Sequence, residues 1–286
     1  MRVEGKTVLV TGAAGGLGCA LSIELARRGA RLILTGLSQA PLNDVRADIE
    51  SMGGEAIAIV GDVQKERDVR ALVDNALATW GRIDILINNA GITSGGDIRV
   101  LADDDWERVL NVNLWGTIRT VRAVLPHMID RGSGYIVNIA SAAGLIAAGL
   151  WAPYAVSKFA VVGFSESLCA AYRSKGIGVS VVCPLCVRTN LSKGVRPHVV
   201  PPAALSGPHR IDRMWRWFVT HFPRPYLSVD VAARRIVRGM EREQFLVYTH
   251  GWTYPIIVAR AIAPQLFSRL WSRANAATEA RYQRFP

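Results

Sequence analysis

The first thirty residues restrict this chain to few folds, because a buried-type strand, a glycine loop and a helix follow one another without a spacer. Lys6 to Val10 is β-branched and apolar enough for a fully buried parallel strand. Thr11-Gly-Ala-Ala-Gly-Gly-Leu-Gly18 comes next, and a helix is expected from about Leu17 to Arg28, with Leu21, Leu25 and Ala26 inward and Gly29 ending it. Glycines alone can mark a tight turn. Between a strand and a helix N-terminus they read instead as a phosphate cradle, where the backbone approaches a pyrophosphate and unpaired N–H groups point at it.

The alternation then continues. Strands are expected at Arg31 to Thr35, Ala56 to Val60, Ile83 to Ile87, Tyr135 to Ile139 and Val179 to Cys183. Helices are expected at Pro41 to Ser51, Glu66 to Trp80, from Asp104 onward, and from the Tyr154 region to about Ser174. This pattern predicts an α/β, Rossmann-like doubly wound parallel sheet in a single domain, for which 286 residues, half of them hydrophobic, suffice. Chemically suggestive residues fall at strand carboxyl ends or on the following helices, where such sheets hold ligands. Asp62 stands at one such end and can either accept from an adenine amino group or cap the next helix. Asn113 lies mid-helix, so its amide must either lock a neighbouring backbone or order a water.

Tyr154-Ala-Val-Ser-Lys158 puts a phenol and an ammonium on one side of a helical turn, where the charge is expected to lower the phenol's pKa. Ser141, beyond the preceding strand, can hydrogen-bond a substrate oxygen and hold it against the phenol.

Charge and cysteines narrow the function classes. The net charge of +11 is spread along the chain, with much of the excess late, and no nucleic-acid motif accompanies it. No nucleic-acid partner is therefore expected. Cys19, Cys169, Cys183 and Cys186 do not describe a disulfide-stapled domain, and Cys183-Pro-Leu-Cys186 lacks the partners of a zinc site, so the pair reads as packing and no metal is expected. The N-terminus enters a strand almost at once and no uncharged run is long enough to span a bilayer, which suggests a cytoplasmic protein.

With these motifs in order, the chain resembles the short-chain dehydrogenase/reductase family of the single-domain type over roughly residues 4 to 190, and more weakly at Ser228 to Met240 and Phe245 to Tyr248. The family's glycine pattern is met by Thr11, Gly12, Gly16 and Gly18, its acidic adenine contact by Asp62, and its N-N-A-G by Asn88, Asn89, Ala90 and Gly91. The resemblance implies an NAD(P)-dependent oxidoreductase interconverting a secondary alcohol and a ketone. Its catalytic residues would be Asn113, Ser141, Tyr154 and Lys158: Tyr154 the general acid or base, Lys158 tuning it and bonding the nicotinamide ribose, Ser141 polarising the substrate oxygen, and Asn113 holding a water. Cofactor contacts would come from Thr11, Gly12, Gly16, Leu17, Gly18, Ser38, Asp62, Val63, Asn89, Ala90, Gly91, Tyr154, Lys158, Pro184, Val187 and Thr189.

Two departures stand out. Leu185 replaces the glycine usual after the proline, implying a different backbone path or an apolar substrate wall. Gly36-Leu37 carries neither the acidic NAD mark nor the basic NADP mark, and the missing carboxylate tilts the expectation toward NADP over NAD.

Residues 1–251 are expected to form the catalytic domain, with a proline-rich substrate lid at about 190–227 carrying Trp215, Trp217 and Phe218. Together with Leu145, Ile146, Leu150 and Trp151 the lid suggests a bulky hydrophobic substrate. Residues 252–286 form a basic amphipathic tail with Ile262, Leu266, Phe267, Leu270 and Trp271 at helical spacing, fit to pack on its own subunit or a homo-oligomer partner, to wall the substrate pocket, or to touch a membrane peripherally. Two other classes stay open: a non-catalytic nucleotide sensor, which has no need of the serine, tyrosine and lysine together, and a membrane-surface scaffold, which has no need of a nicotinamide site.

Overall fold

A computed structural model describes residues 1–147, 149–189, 191 and 226–282, with side chains as far as Arg273. The body of the expected lid, including Trp215, Trp217 and Phe218, lies outside the described residues.

Each expected strand forms. β1 (Thr7–Thr11), β2 (Arg31–Gly36), β3 (Ala56–Val60), β4 (Ile85–Asn88), β5 (Gly134–Ile139), β6 (Ile177–Cys183) and β7 (Leu246–Tyr248) make one sheet in the order β3-β2-β1-β4-β5-β6-β7. All six pairings are parallel. The order reverses between β1 and β4, both of which leave their carboxyl ends at the same crevice.

Period-two alternation divides the core. Val8 and Val10 of β1 face one layer, with α1 (Gly16–Ala26), α2 (Gln39–Ser51) and α7 (Val229–Glu241). Leu9, between them, faces the other, with α3 (Glu66–Trp80), α5 (Gly116–Asp130) and α6 (Ala152–Tyr172). Both faces are thus covered, which is why the strands read as continuous apolar runs without polar alternation.

The helix expected from Asp104 is broken in a way that no residue type announces. α4 (Asp103–Leu110) passes into a π-helical turn, Asn111–Trp115, before α5 continues. In that turn the Gly116 N–H reaches back five residues to the Asn111 carbonyl. Asn113 is buried within this turn, and such π-helical turns are frequent at functional sites.

Polar side chains tie the sheet's carboxyl edge together beneath the crevice. Asn88 and Asn138 are register partners on β4 and β5, and the Asn88 amide donates to Asn138 Oδ1 at 2.9 Å. Thr120 Oγ1 of α5 donates to Asn88 Oδ1 at 2.5 Å, and Asn138 Nδ2 donates to Ser165 Oγ of α6 at 2.9 Å. Four elements are cross-linked by a buried network whose amides are satisfied, so their relative heights are fixed.

The tail forms two helices, α8 (Thr253–Ile262) and α9 (Pro264–Tyr282), with Pro264 opening the second. A proline has no N–H to donate, so it suits a first turn and ends the helix before it. No described helix is long and apolar enough to cross a membrane.

Candidate active site

The glycine loop is held from behind by the end of β4. Thr11 Oγ1 accepts from the N–H groups of Asn89 and Ala90, both at 3.0 Å, while Asn89 Nδ2 donates to the carbonyls of Thr11 and Gly12 at 3.0 and 3.1 Å. Only glycines fit this junction. Gly12 has φ +62° and a Cβ there would stand 2.9 Å from Ala90 Cα; a Cβ on Gly18 would stand 2.2 Å from the Gly12 carbonyl oxygen and 2.6 Å from Asn89 Nδ2. α1 begins after Gly15 without a side-chain cap and Leu17 packs against the core, so the N–H groups of its first turn face the loop. Gly16 lies across from Thr189 and Val229, each within 3.8 Å of where its Cβ would be, which brings Thr189 to the cradle.

Along the crevice, Ser38 is the N-cap residue of α2 and its side chain makes no cap bond. Asp62 does not cap α3, whose N-cap is Lys65; its Oδ1 accepts from the Gln64 backbone N–H at 3.0 Å and the Gln64 amide at 3.2 Å. Val63 is buried beside Gly116.

Asn113 locks a neighbouring backbone, as the first of its two expected readings has it. Its Oδ1 accepts from Ile92 N–H at 2.8 Å and its Nδ2 donates to the Ile92 carbonyl at 2.9 Å and to Ser157 Oγ at 2.9 Å. The side chain locks the backbone after Gly91 to α6, with both amide hydrogens used. The expected water-holding role therefore finds no donor left on this amide.

Ser141, Tyr154 and Lys158 converge on the other side. Ser141 caps a 3₁₀ turn, Ala142–Gly144, and its Oγ accepts from Ala143 N–H at 3.1 Å. Gly144 lets that turn lie on the backbone of α6, where a Cβ would come within 2.6 Å of the Lys158 carbonyl oxygen. The Ser141 hydroxyl lies near enough to the Tyr154 phenol to lower its pKa. Lys158 Nζ donates to the Ile139 carbonyl at 2.8 Å and lies 5.6 Å from the Tyr154 ring centroid. Asn113 and Lys158 meet at Gly91, whose Cβ would stand 3.3 Å from Asn113 Oδ1 and 3.5 Å from Lys158 Nζ.

The electrostatics correct one expectation. Burial is the largest influence on Tyr154 and raises its pKa, opposed by the Ser141 hydrogen bond; Lys158 does not lower it toward neutrality. The ammonium is turned to the Ile139 carbonyl, and burial lowers its own pKa to about 8. The thiols are further from ionising: burial pushes Cys183 up to about 12 and Cys186 to about 11, in keeping with packing rather than thiolate chemistry. Among the described residues no group of three or more potential ligands could hold a metal ion.

A cavity of about 330 Å³ opens over the phenol, lined by Thr93, Ala143, Trp151, Tyr154, Val187, Thr189 and Leu191. Trp151 belongs to the apolar set expected to shape a substrate site, but Leu145 packs into a small core cluster and Leu185 is not a lining residue. Leu185 instead donates its N–H to Thr249 Oγ1 at 3.1 Å, and Pro184 accepts from Ala142 N–H at 2.9 Å. Val187 bridges to Leu227. Thr93 and Ala143 carried no sequence signal; both are small residues whose only distinction is where the fold puts them.

A family model described as short chain dehydrogenase matches residues 6–199. The chain belongs to the short-chain dehydrogenase/reductase family. It is 38% identical over 199 residues to an uncharacterized oxidoreductase of Thermotoga maritima, covering 70% of this chain and 77% of that relative. With the 3-oxoacyl-(acyl-carrier-protein) reductase FabG of the same organism it shares 33% identity over 206 residues, covering 72% and 83%. A short-chain dehydrogenase/reductase from Burkholderia phymatum, solved in complex with NAD, superposes with a TM-score of 0.79 at 29% identity, covering 93% of this chain and 96% of the other. The family, the parallel sheet and the cradle together make this an NAD(P)-dependent dehydrogenase/reductase.

The glycine junction gives a direct test of the cradle. Gly18→Ala should weaken binding of a nicotinamide dinucleotide at least ~10-fold by calorimetric titration, because its methyl group meets backbone and the Asn89 amide. Gly163→Ala, where a Cβ would meet nothing within 4 Å, should leave binding unchanged.

Proposed function

We propose that this enzyme reduces the carbonyl of a bulky, hydrophobic ketone to a secondary alcohol, with Tyr154 as proton donor. The observation that carries the reading is a half-buried phenol facing an apolar cavity, beside Ser141 and close to a buried lysine. A phenol whose pKa is raised by burial carries its proton at neutral pH, as the proton donor of the reducing direction proposed here must.

The residues present fit a dinucleotide. Gly12, Gly16 and Gly18 with the first turn of α1 would hold its phosphates, Asp62 and Val63 would flank the adenine, and Asn89, Ala90 and Gly91 would line the path toward Lys158. Pro184, Val187 and Thr189 would border the nicotinamide end, and Lys158 would bond its ribose. When bound, the nicotinamide supplies the hydride. Ser141 holds the substrate oxygen beside the phenol, Tyr154 delivers its proton to that oxygen, and the Lys158 charge stabilises negative charge as it appears. Asn113 acts by fixing Ile92 and Ser157, and so the wall between cofactor and proton donor. Thr93, Ala143, Trp151 and Val187 would border the reacting carbon.

The preferred cofactor is proposed to be NADP. β2 ends in Gly36 and an exposed Leu37, so no carboxylate there repels a 2'-phosphate. The tail's outward stripe of Ile262, Leu266 and Leu270, beside Arg269 and Arg273, is where a homo-oligomer or a peripheral membrane contact would form.

Tyr154→Phe should lower ketone reduction at least ~1000-fold, followed by absorbance at 340 nm, with the cofactor dissociation constant changed less than ~3-fold. Retained turnover on a good substrate would overturn the assignment. Reduction by the unmodified enzyme should fall as pH rises through about 8, where Lys158 passes from charged to neutral. A profile flat from pH 6 to 10 would contradict that role for the lysine. The ratio of kcat/KM for NADPH over NADH should exceed ~10, and equal efficiency would remove the proposed preference.

A further inference from the structure

The cavity's substrate side is built from a segment that belongs to neither the sheet nor α6. Between the Ser141 turn and Tyr154 the chain makes a 3₁₀ turn at Gly149–Trp151, and this loop carries Trp151 into the cavity wall. Among the described residues, two contacts from distant parts of the chain bracket it. On its inner side Gly96 N–H donates to the Leu150 carbonyl at 2.7 Å, and Gly95 fits so closely that a Cβ there would stand 2.5 Å from that oxygen and 2.8 Å from the Trp151 ring. On its outer side, 124 positions along the chain, the indole Nε1 of Trp271 donates to the Ala147 carbonyl at 2.6 Å. Trp271 is itself stacked on Phe267, with ring centroids 5.7 Å apart and planes 14° from parallel. The tail is fastened a second time where the Arg260 guanidinium lies 5.3 Å over the Phe159 ring, next to Lys158.

We propose that Trp271 is a positioning residue for substrate recognition: by gripping the Ala147 carbonyl it presses the 145–151 loop against Gly95 and Gly96, and so fixes how far Trp151 stands from Tyr154. An indole N–H suits this role because it is a rigid donor at the end of a large apolar plate, so the contact has one geometry. The tail in this view sets the size of the substrate that the cavity accepts. Catalysis and cofactor binding are left to the sheet edge and α6. The consequence for selectivity rests on the ketone-reductase reading above, whereas the grip on the loop does not.

Trp271→Phe keeps the stacking partner for Phe267 and removes only the donor. Hydrogen exchange followed by mass spectrometry should show peptides over residues 145–151 exchanging at least ~10-fold faster, with β4, β5 and β6 unchanged. In the same variant KM for 1-decalone should rise at least ~5-fold while kcat for it, KM for acetone and the cofactor dissociation constant stay within ~2-fold. Ser268→Ala, an exposed position on the same helix, should alter none of these. Unchanged exchange in the 145–151 peptides would overturn the proposal, as would acceleration spread equally over the core strands. Faster loop exchange with an unaltered ratio of KM values would overturn the role in recognition. Should the unmodified enzyme reduce neither ketone, the ketone-reductase reading fails, and the loop exchange alone decides whether the grip exists.

Discussion

A lysine ammonium taken out of water is the constraint around which this molecule is arranged. Burial of a charge is tolerated only where it is paired or hydrogen-bonded, and Lys158 meets the requirement by donating to the Ile139 carbonyl at the end of β5. Burial nevertheless lowers its pKa to about 8. Three elements must agree for the arrangement to exist. β5 must stop at Ile139, α6 must bring Lys158 back over it, and the chain after β4 must pass Gly91 close to both Lys158 and Asn113.

The polar residues of the crevice are consequently linked rather than scattered. Asn88 and Asn138 set the heights of β4 and β5, Ser165 joins them to α6, and Asn113 joins the segment after β4 to Ser157, one position before the lysine. Each amide is satisfied by protein, so the network is rigid and tolerant of burial. A phenol on such a frame can hold one position relative to a bound ligand, which is what proton delivery requires.

How much of this was legible in the sequence depended on the range of the interaction. β1, with its apolar residues beside a glycine loop, declared both its place and its neighbour, and the strands through β6 came within two residues of their expected starts because buried parallel strands lack a competing pattern. The tyrosine, lysine and serine were visible as spacings, and the structure brings them together. The environment of each was not visible. Tyr154 was expected to be acidified by the lysine, yet burial dominates, and burial is the sum of contacts from parts of the chain far apart in sequence. The π-helical turn at Asn111–Trp115 left no trace because its residues are ordinary helix formers, and the choice is made by Asn113 reaching Ile92. The bond from Trp271 to Ala147 is longer in range still, and no local pattern encodes it.

Leu185 shows how a departure from the family's pattern is absorbed. In the turn after β6, Leu185 keeps a negative φ and the residue of positive φ is Cys186, at +47°. A non-glycine residue there costs roughly 1 kcal/mol, and such strain persists only where the surroundings over-determine it. Here they do: Leu185 is held by Thr249 Oγ1, the Cys186 carbonyl accepts from Leu227 N–H at 3.0 Å, and Arg188 N–H donates to the Leu227 carbonyl at 3.0 Å. The floor of the cavity at Val187 and Thr189 is thereby paired to the residue just ahead of α7. Since α7 packs on α1 and the cradle at Gly16 lies against Val229, the substrate side and the phosphate side of the crevice share one short pairing. The pairing of Val187 with Leu227 thus joins the cavity wall to the helix that packs against the glycine loop.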